Sequence, residues 1–378
     1  MKRKPLIWIT GFFLLVSIAL GSVAAGTIRV DPYFHYHKPL TEEYSYRLNN
    51  QRYQNNGIVR HFDYSGLITG TSMTENFKTS EAEALWGGTF VKVCYSGGTF
   101  KEINDNIEAA LRSNPDLKTV IRGLFMSGFT QSKDLMKDSP EMYPTYLYDD
   151  DLFNDVHYLF NRDVVFSRVY AMIKAKGDQG FVPGITHFDR YSAWSRLFKY
   201  GKNAVTPDGI SFQGAGEPVH LSKRLKTRVK ENVRQNVTSI AKKYPDVTFF
   251  CFLEPFSAVW WMYRLEEGTI YRQVEAERIA IKEILSCPNI RLFSFNCRFE
   301  LTTDLNHYKD RAHYGEWINS RILHWMYDGE NQLTKENYED YLEEELRFYT
   351  TYDYNQLNDQ PDYEDDSYAS ALLEKKTE

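Results

Sequence analysis

Cysteine is scarce in this chain, with four in 378 residues. Cys94, Cys251, Cys287 and Cys297 show no metal-ligand spacing, which excludes a zinc-knuckle type of module and a cysteine-framed mini-fold. Cys94 and Cys251 fall inside apolar runs, so buried thiols are the default expectation. Excess positive charge is lacking too. The formal net charge is -6, and the stretch from Asn355 to Glu378 carries seven acids against two bases, leaving about -1 for everything before it. No basic face for nucleic acid follows from that balance. There is no internal repeat, so solenoid and propeller folds are excluded.

Apolar and aromatic residues are plentiful. Hydrophobic residues make up 42% and aromatics 15%, with 27 Tyr and 24 Phe, enough to pack a large core. One apolar run is long: Pro5 to Gly26 is almost free of charge and has roughly the length that spans a bilayer. Lys2, Arg3 and Lys4 precede it, which predicts that this end stays in the cytoplasm and the rest is exported. Val23-Ala24-Ala25 would suit a signal-peptide cleavage site. The run is long for a signal peptide and no polar segment precedes the alanines, so an uncleaved anchor is the preferred expectation. Export permits disulfides, and a Cys251–Cys297 pair stays open.

Beyond the anchor, strands and helices alternate. Phe90–Tyr95, Leu117–Leu124, Val247–Leu253 and Ile290–Phe295 read as buried strands. Thr74–Leu85, Phe100–Arg112, Val164–Lys176, Leu221–Tyr244, Tyr271–Ser286, Tyr314–Tyr327 and Thr334–Thr350 read as helices. With the run before Ser72, this predicts about five strands in a mostly parallel sheet with crossover helices. Phe125 to Arg162 reads as a long aromatic insertion of the kind that builds binding sites.

Two stretches carry the chemistry. Ser65 to Phe77 reads as a buried strand ending in Gly70-Thr71-Ser72, a tight turn and a helix start. That would leave the Ser72 hydroxyl at the strand's carboxyl end, near a positive helix terminus. The plainer alternative is that Ser72 only caps a helix. Far downstream, Asp310 stands three residues before His313. An Asp-x-x-His loop can set a carboxylate beside an imidazole whose other nitrogen faces a serine. The Gly97-Gly98 turn can bring backbone N–H groups close to a substrate oxygen, or can be an ordinary turn. His307, Asp310 and His313 could alternatively form a metal site. That reading leaves Ser72 and Gly98 unexplained, so no metal and no cofactor are expected. His35-Tyr36-His37 reads as a surface pair without a third ligand.

These stretches resemble the SGNH (GDSL-like) esterase and acyltransferase superfamily, and within it the membrane-anchored proteins of Gram-positive bacteria. The resemblance runs through Gly70–Phe77, Tyr95-Ser96-Gly97-Gly98-Thr99, Tyr146-Leu147-Tyr148-Asp149 with Phe153-Asn154-Asp155-Val156, and Asp304–Gly315. It implies a three-layer α/β/α, flavodoxin-like fold with Ser72 as nucleophile, His313 as base and Asp310 orienting it. Ser72 and Gly98, or less favourably Gly97, would supply the oxyanion hole. The implied substrate is an acetyl or D-alanyl ester on a cell-envelope polysaccharide or teichoic acid, with a membrane-bound acyl-donor protein as a candidate partner. Two departures stand out. The family's oxyanion-hole Asn is missing from Gly123-Leu124-Phe125-Met126-Ser127, where Asn154 or Asn161 would have to substitute. The nucleophile turn is Gly-Thr-Ser rather than Gly-Asp-Ser. A second class of function, an inactive SGNH-like scaffold that binds glycan or an assembly partner, is compatible with the missing Asn.

The expected layout is a single-pass anchor (1–26), an N-terminal arm (27–56), an extracellular SGNH-like domain (57–330), a C-terminal helix (331–352) and an acidic disordered tail (353–378). Glu254, Trp260 and Trp261, just past the strand Val247–Leu253, are candidates to line a sugar subsite, with core packing the alternative for at least one Trp.

Overall fold

The computed structural model describes residues 3–139 and 142–361. The start of the basic flank and the acidic stretch after Pro361 lie outside the described residues. The strands among the described residues are β1 Ser45–Tyr46, β2 Gly66–Gly70, β3 Phe90–Cys94, β4 Thr119–Leu124, β5 Gly184–Ile185, β6 Thr248–Leu253, β7 Ile290–Ser294 and β8 Gln332–Leu333. The chain divides into two compact units: residues 1–62 with 138–187, and residues 63–137 with 188–378. The expected arm and most of the expected insertion therefore belong to one unit of their own, and the anticipated 57–330 domain starts later and reaches further.

The first unit contains α1, Arg3–Val30, a helix long and apolar enough over Pro5–Val30 to cross a membrane. It stops at Asp31-Pro32. The buried Asp31 carboxylate accepts the backbone N–H groups of His35, Tyr36 and His37 and the hydroxyl of Tyr158. Those bonds fix the chain's exit from the helix, and the proline cannot continue it. β1 and β5 pair in parallel, and Gln51–His61 forms a helix. The helical run Asp163–Ala175 begins with a π segment. His35 is not a surface residue: its Nε2 lies 3.0 Å from the buried Asp155 carboxylate.

The second unit is an α/β fold on a six-stranded sheet in the order β3-β2-β4-β6-β7-β8. The first five strands of that order are parallel and β8 is antiparallel. β2 and β3 are buried throughout, as suits parallel strands covered on both faces. From β2 the chain moves to β3 on one side and returns past β2 to β4 on the other. Right-handed crossovers then place the helices Thr79–Trp86 and Phe100–Ser113 on opposite faces. The first packs on Glu316–Asp328 and the second on the run Arg234–Thr238. A capping box closes the start of the second, with Thr99 and Glu102 exchanging side-chain and backbone bonds.

Four expectations change here. β8 adds a sixth strand, too short to read in the sequence. The C-terminal helix starts only at Tyr338. The region from 353 to 361 is ordered: Tyr354–Asp359 forms a 3₁₀ turn with Tyr354 and Leu357 buried, and Lys202 Nζ donates to the carbonyls of Asn358 and Gln360. All four cysteines are free thiols, so the Cys251–Cys297 pair does not form.

Candidate active site

The reversal of strand order beside β2 makes its carboxyl end the natural place for a ligand. Gly70, the last residue of β2, has φ +152°, and a Cβ there would meet the Thr74 side chain at 2.6 Å. Thr71 and Ser72 follow at once. Ser72–Thr74 is a single 3₁₀ turn, and the α-helix begins only at Thr79. The helix expected from Thr74, and the helix terminus invoked beneath Ser72, are therefore absent. Side chains explain the difference by taking the carbonyls that a helix would use. Asn319 Nδ2 donates to Met73 O at 2.8 Å, and Trp194 Nε1 to Ser72 O at 3.0 Å. The buried Lys92 ammonium donates to the carbonyls of Glu75 and Phe77. Asn76 in turn accepts the backbone N–H groups of Trp194 and Ser195.

The Asp310 loop hangs from the end of β6. Ser257 donates through its N–H and its hydroxyl to Arg311 O, and Tyr308 Oη to Pro255 O. Tyr308 and Tyr314 form an antiparallel bridge that pinches the loop. Within it, the Asp310 Oδ1 atom accepts the N–H groups of Ala312 and His313 at 2.9 and 2.8 Å.

These two pieces meet. Ser72 Oγ lies 2.8 Å from His313 Nε2, and His313 Nδ1 lies 2.9 Å from Asp310 Oδ2. With Nδ1–H donating to the carboxylate, Nε2 is left as the acceptor facing the serine hydroxyl. Burial works to raise the Asp310 pKa, but the His313 ring and the two backbone N–H groups outweigh it and hold the carboxyl well below its ordinary value. Lys309 Nζ lies 3.3 Å from Asp310 Oδ2 and caps the rings of Trp194 and Phe198. Trp194 meets the His313 ring edge-on, with centroids 5.4 Å apart.

The other candidate residues fall differently. Gly98 is buried and its N–H donates to Tyr95 O at 2.7 Å, so it is not free for a substrate oxygen. Gly97 is exposed, with φ +58°. Among the described residues, neither the Gly97 nor the Ser72 N–H has an acceptor. Tyr95 N bonds to Gly70 O, so Gly97 and Ser72 each stand two residues past a paired strand end. Asn154 and Asn161 are engaged within the first unit, Asn154 with Asp149 and Asn161 with the N–H groups of Asp163 and Val164. His307 is buried; its Nδ1 accepts the indole N–H of Trp317, and its Nε2 faces Asp304, so it does not join Asp310 and His313 around a common point.

Of the sugar-subsite candidates, Trp261 is completely buried and stacked on Tyr349, with centroids 4.5 Å apart, so its ring cannot receive a sugar. Glu254 is likewise buried, as a support beneath the Ser72 turn: Thr71 Oγ1 donates to its Oε1 at 3.2 Å. Burial pushes its pKa up to about 8. Trp260 is half-buried, with Arg264 over its ring and the rings of Phe256 and Trp261 beside it. Sequence reading passed over Trp194, Asn76 and Asn319. Their roles come from contacts with chain more than a hundred residues away, which no local pattern signals.

No protein-family model matches the chain, and no curated protein matches it. A solved structure from Streptococcus pneumonia, described as "a putative platelet activating factor", is a distant structural match. Its TM-score is 0.34 at 11% identity, over 77% of this chain and 90% of that one.

Proposed function

We propose that this protein is a membrane-anchored, serine-dependent esterase or O-acyltransferase of the SGNH kind, with Ser72 as nucleophile. The observation that carries the reading is the continuous set of hydrogen bonds from Ser72 Oγ through the His313 ring to Asp310. His313 Nε2 takes the hydroxyl proton as Oγ attacks an acyl carbonyl. Asp310 holds the ring's tautomer and stabilises the imidazolium that forms. The N–H groups of Ser72 and Gly97, which have no acceptor among the described residues, are the candidate donors to the oxyanion. Collapse of the tetrahedral intermediate returns the proton from His313 to the departing alkoxide oxygen and leaves the acyl group on Ser72. Water or an acceptor hydroxyl then attacks, with His313 again taking and returning a proton.

The substrate class is the one the resemblance implies, and the apolar N-terminal helix supports only its place at a membrane. It is an acetyl or D-alanyl ester of a cell-envelope polysaccharide or teichoic acid, handled on the outer side of the membrane, with a membrane-bound protein as acyl donor. Trp260 is the remaining candidate for stacking an acceptor sugar. A fluorophosphonate probe tests the reading directly. It is expected to label the wild-type chain, to label Ser72→Ala not at all, and to label His313→Ala far more slowly. Absence of labelling in a folded wild-type chain would leave the inactive-scaffold reading.

A further inference from the structure

The first unit presents large apolar side chains to its surroundings. Leu152 and Phe153 are 74% and 93% exposed on a loop, and Val156 is exposed in the short helix Val156–Leu159. Phe166, Tyr170 and Ile173 stand at i, i+4 and i+7 along the run Asp163–Ala175, giving it an exposed apolar stripe. Val164 and Val169 of the same run are buried. A soluble surface rarely gathers so many large apolar groups without a partner.

The position of α1 says what the partner is. Both helical pieces pack on α1. Thr27 Oγ1 of α1 donates to Leu159 O, and Thr27 and Val30 are buried, whereas Leu6 to Leu20 of α1 is almost entirely exposed. Pro5–Val30 has 26 residues. At 1.5 Å per residue it is about 39 Å long, against about 30 Å of hydrocarbon. The last roughly six residues therefore emerge at the headgroup level, and that is where Val156–Leu159 and Asp163–Ala175 pack. Exposed charges around the stripe have both signs, Asp149, Asp151 and Asp163 against Arg162 and Lys174. The surface thus suits the apolar–polar boundary of a bilayer and not an anionic headgroup layer.

We propose that Leu152, Phe153, Val156 and the Phe166–Tyr170–Ile173 stripe seat in the bilayer interface where α1 emerges. The first unit is then an embedded collar around the anchor, and it fixes the unit's height and tilt on the membrane. The proposal rests on α1 being an uncleaved span.

The test uses the full chain in phosphatidylcholine nanodiscs. Nitroxide labels are placed singly at Phe153→Cys, Phe166→Cys and Ile173→Cys, in α1 at Phe13→Cys, and at the exposed Lys230→Cys of the second unit. The half-buried Cys297 is replaced by Ser. The probed side chains are all exposed, so labelling leaves the packing in place. Collision with oxygen is expected to be high, and collision with a water-soluble nickel chelate several-fold lower, at 153, 166 and 173 than at 230. Exchanging part of the lipid for phosphatidylglycerol should change neither value. Nickel access at 166 and 173 equal to that at 230, with 13 still protected, would overturn the collar alone. Nickel access at 13 as well would overturn the span and the collar together. Protection that appears only with phosphatidylglycerol would mean electrostatic attachment and would overturn the apolar seating.

Discussion

The hydroxyl of Thr71 donates to Glu254 across 3.2 Å, while the same oxygen accepts the N–H of Met73 at 3.4 Å. The Ser72 turn is thus braced from below by one buried carboxyl group. Gly123 of β4 makes room for it, since a Cβ there would come within 2.8 Å of Glu254 Oε1. Glu254 Oε2 is buried with no hydrogen-bond partner among the described residues, which suits a protonated acid and not a carboxylate.

A pH dependence follows. The Glu254 pKa is raised to about 8 in the folded chain, against about 4.3 in an unfolded one. Between those values the unfolded chain gives up the proton and the folded chain keeps it, so this group makes stability fall as pH rises. Above about 8 a buried anion forms beneath the Ser72 turn. Glu254→Gln keeps an acceptor for Thr71 and removes the titration. It is expected to match wild type in activity near pH 7, to show a smaller fall in melting temperature between about pH 4.3 and 8, and to lose the fall in rate near pH 8. A variant whose alkaline limb is unchanged would remove Glu254 from this role.

The serine, the histidine and the aspartate are expected to act as one unit. Ser72→Ala and His313→Ala should each lower turnover by several orders of magnitude, and the double variant should lose little more. Asp310→Asn should cost as much or less, through loss of the correct ring tautomer. Turnover of an acetylated or alanylated envelope glycan, with and without acceptor sugar, gives the comparison and also separates transfer from hydrolysis. Single losses that multiply in the double variant would mean that the two residues act independently.

The two neighbouring tryptophans should separate cleanly. Trp261→Ala removes a completely buried ring and is expected to cost about 3–5 kcal/mol of stability. Trp261→Phe should cost far less, because the indole N–H it removes has no acceptor among the described residues. Trp260→Ala should cost clearly less stability than Trp261→Ala, because its ring is only half-buried against Phe256 and Trp261, and should raise KM for the acceptor sugar. Chemical denaturation and steady-state kinetics read these effects. Equal stability losses at the two positions would place Trp260 in the core as well.

Much of the sheet was legible because parallel strands are buried on both faces and appear as short, mostly apolar runs: Phe249–Leu253 is unbroken, and Val91–Cys94 and Val120–Leu124 are interrupted only by Lys92 and by Arg122-Gly123. The Asp310–His313 pairing was legible because a three-residue loop is local. What escaped depends on distant partners. A helix was expected from Thr74 because nothing nearby signals that Asn319 and Lys92 take the carbonyls of Met73, Glu75 and Phe77. Gly98 was preferred to Gly97 because either glycine suits a tight turn, and only the bond to Tyr95 decides which N–H is spent. Glu254 reads as a sugar-subsite candidate because nothing local shows that the Ser72 turn packs over it and buries it.

Trp194 offers a further test of the site's construction. Its indole N–H donates to the carbonyl of Ser72 at 3.0 Å, and its ring stands edge-on to His313. It therefore holds the nucleophile's backbone and one wall of the base with a single side chain. Trp194→Phe keeps an aromatic wall but leaves the Ser72 carbonyl without its donor. One lost hydrogen bond of this kind is worth roughly 0.5–1.5 kcal/mol, so a decrease in kcat of up to about tenfold is expected. KM and the pH profile should stay near wild type, since neither Glu254 nor Asp310 is touched. Trp194→Ala removes the wall too and should lower kcat further, with fluorophosphonate labelling of Ser72 slowed in parallel. A Trp194→Phe variant with unchanged kcat would show that the Ser72 turn keeps its shape without this bond, leaving Asn319 and Lys92 to hold it.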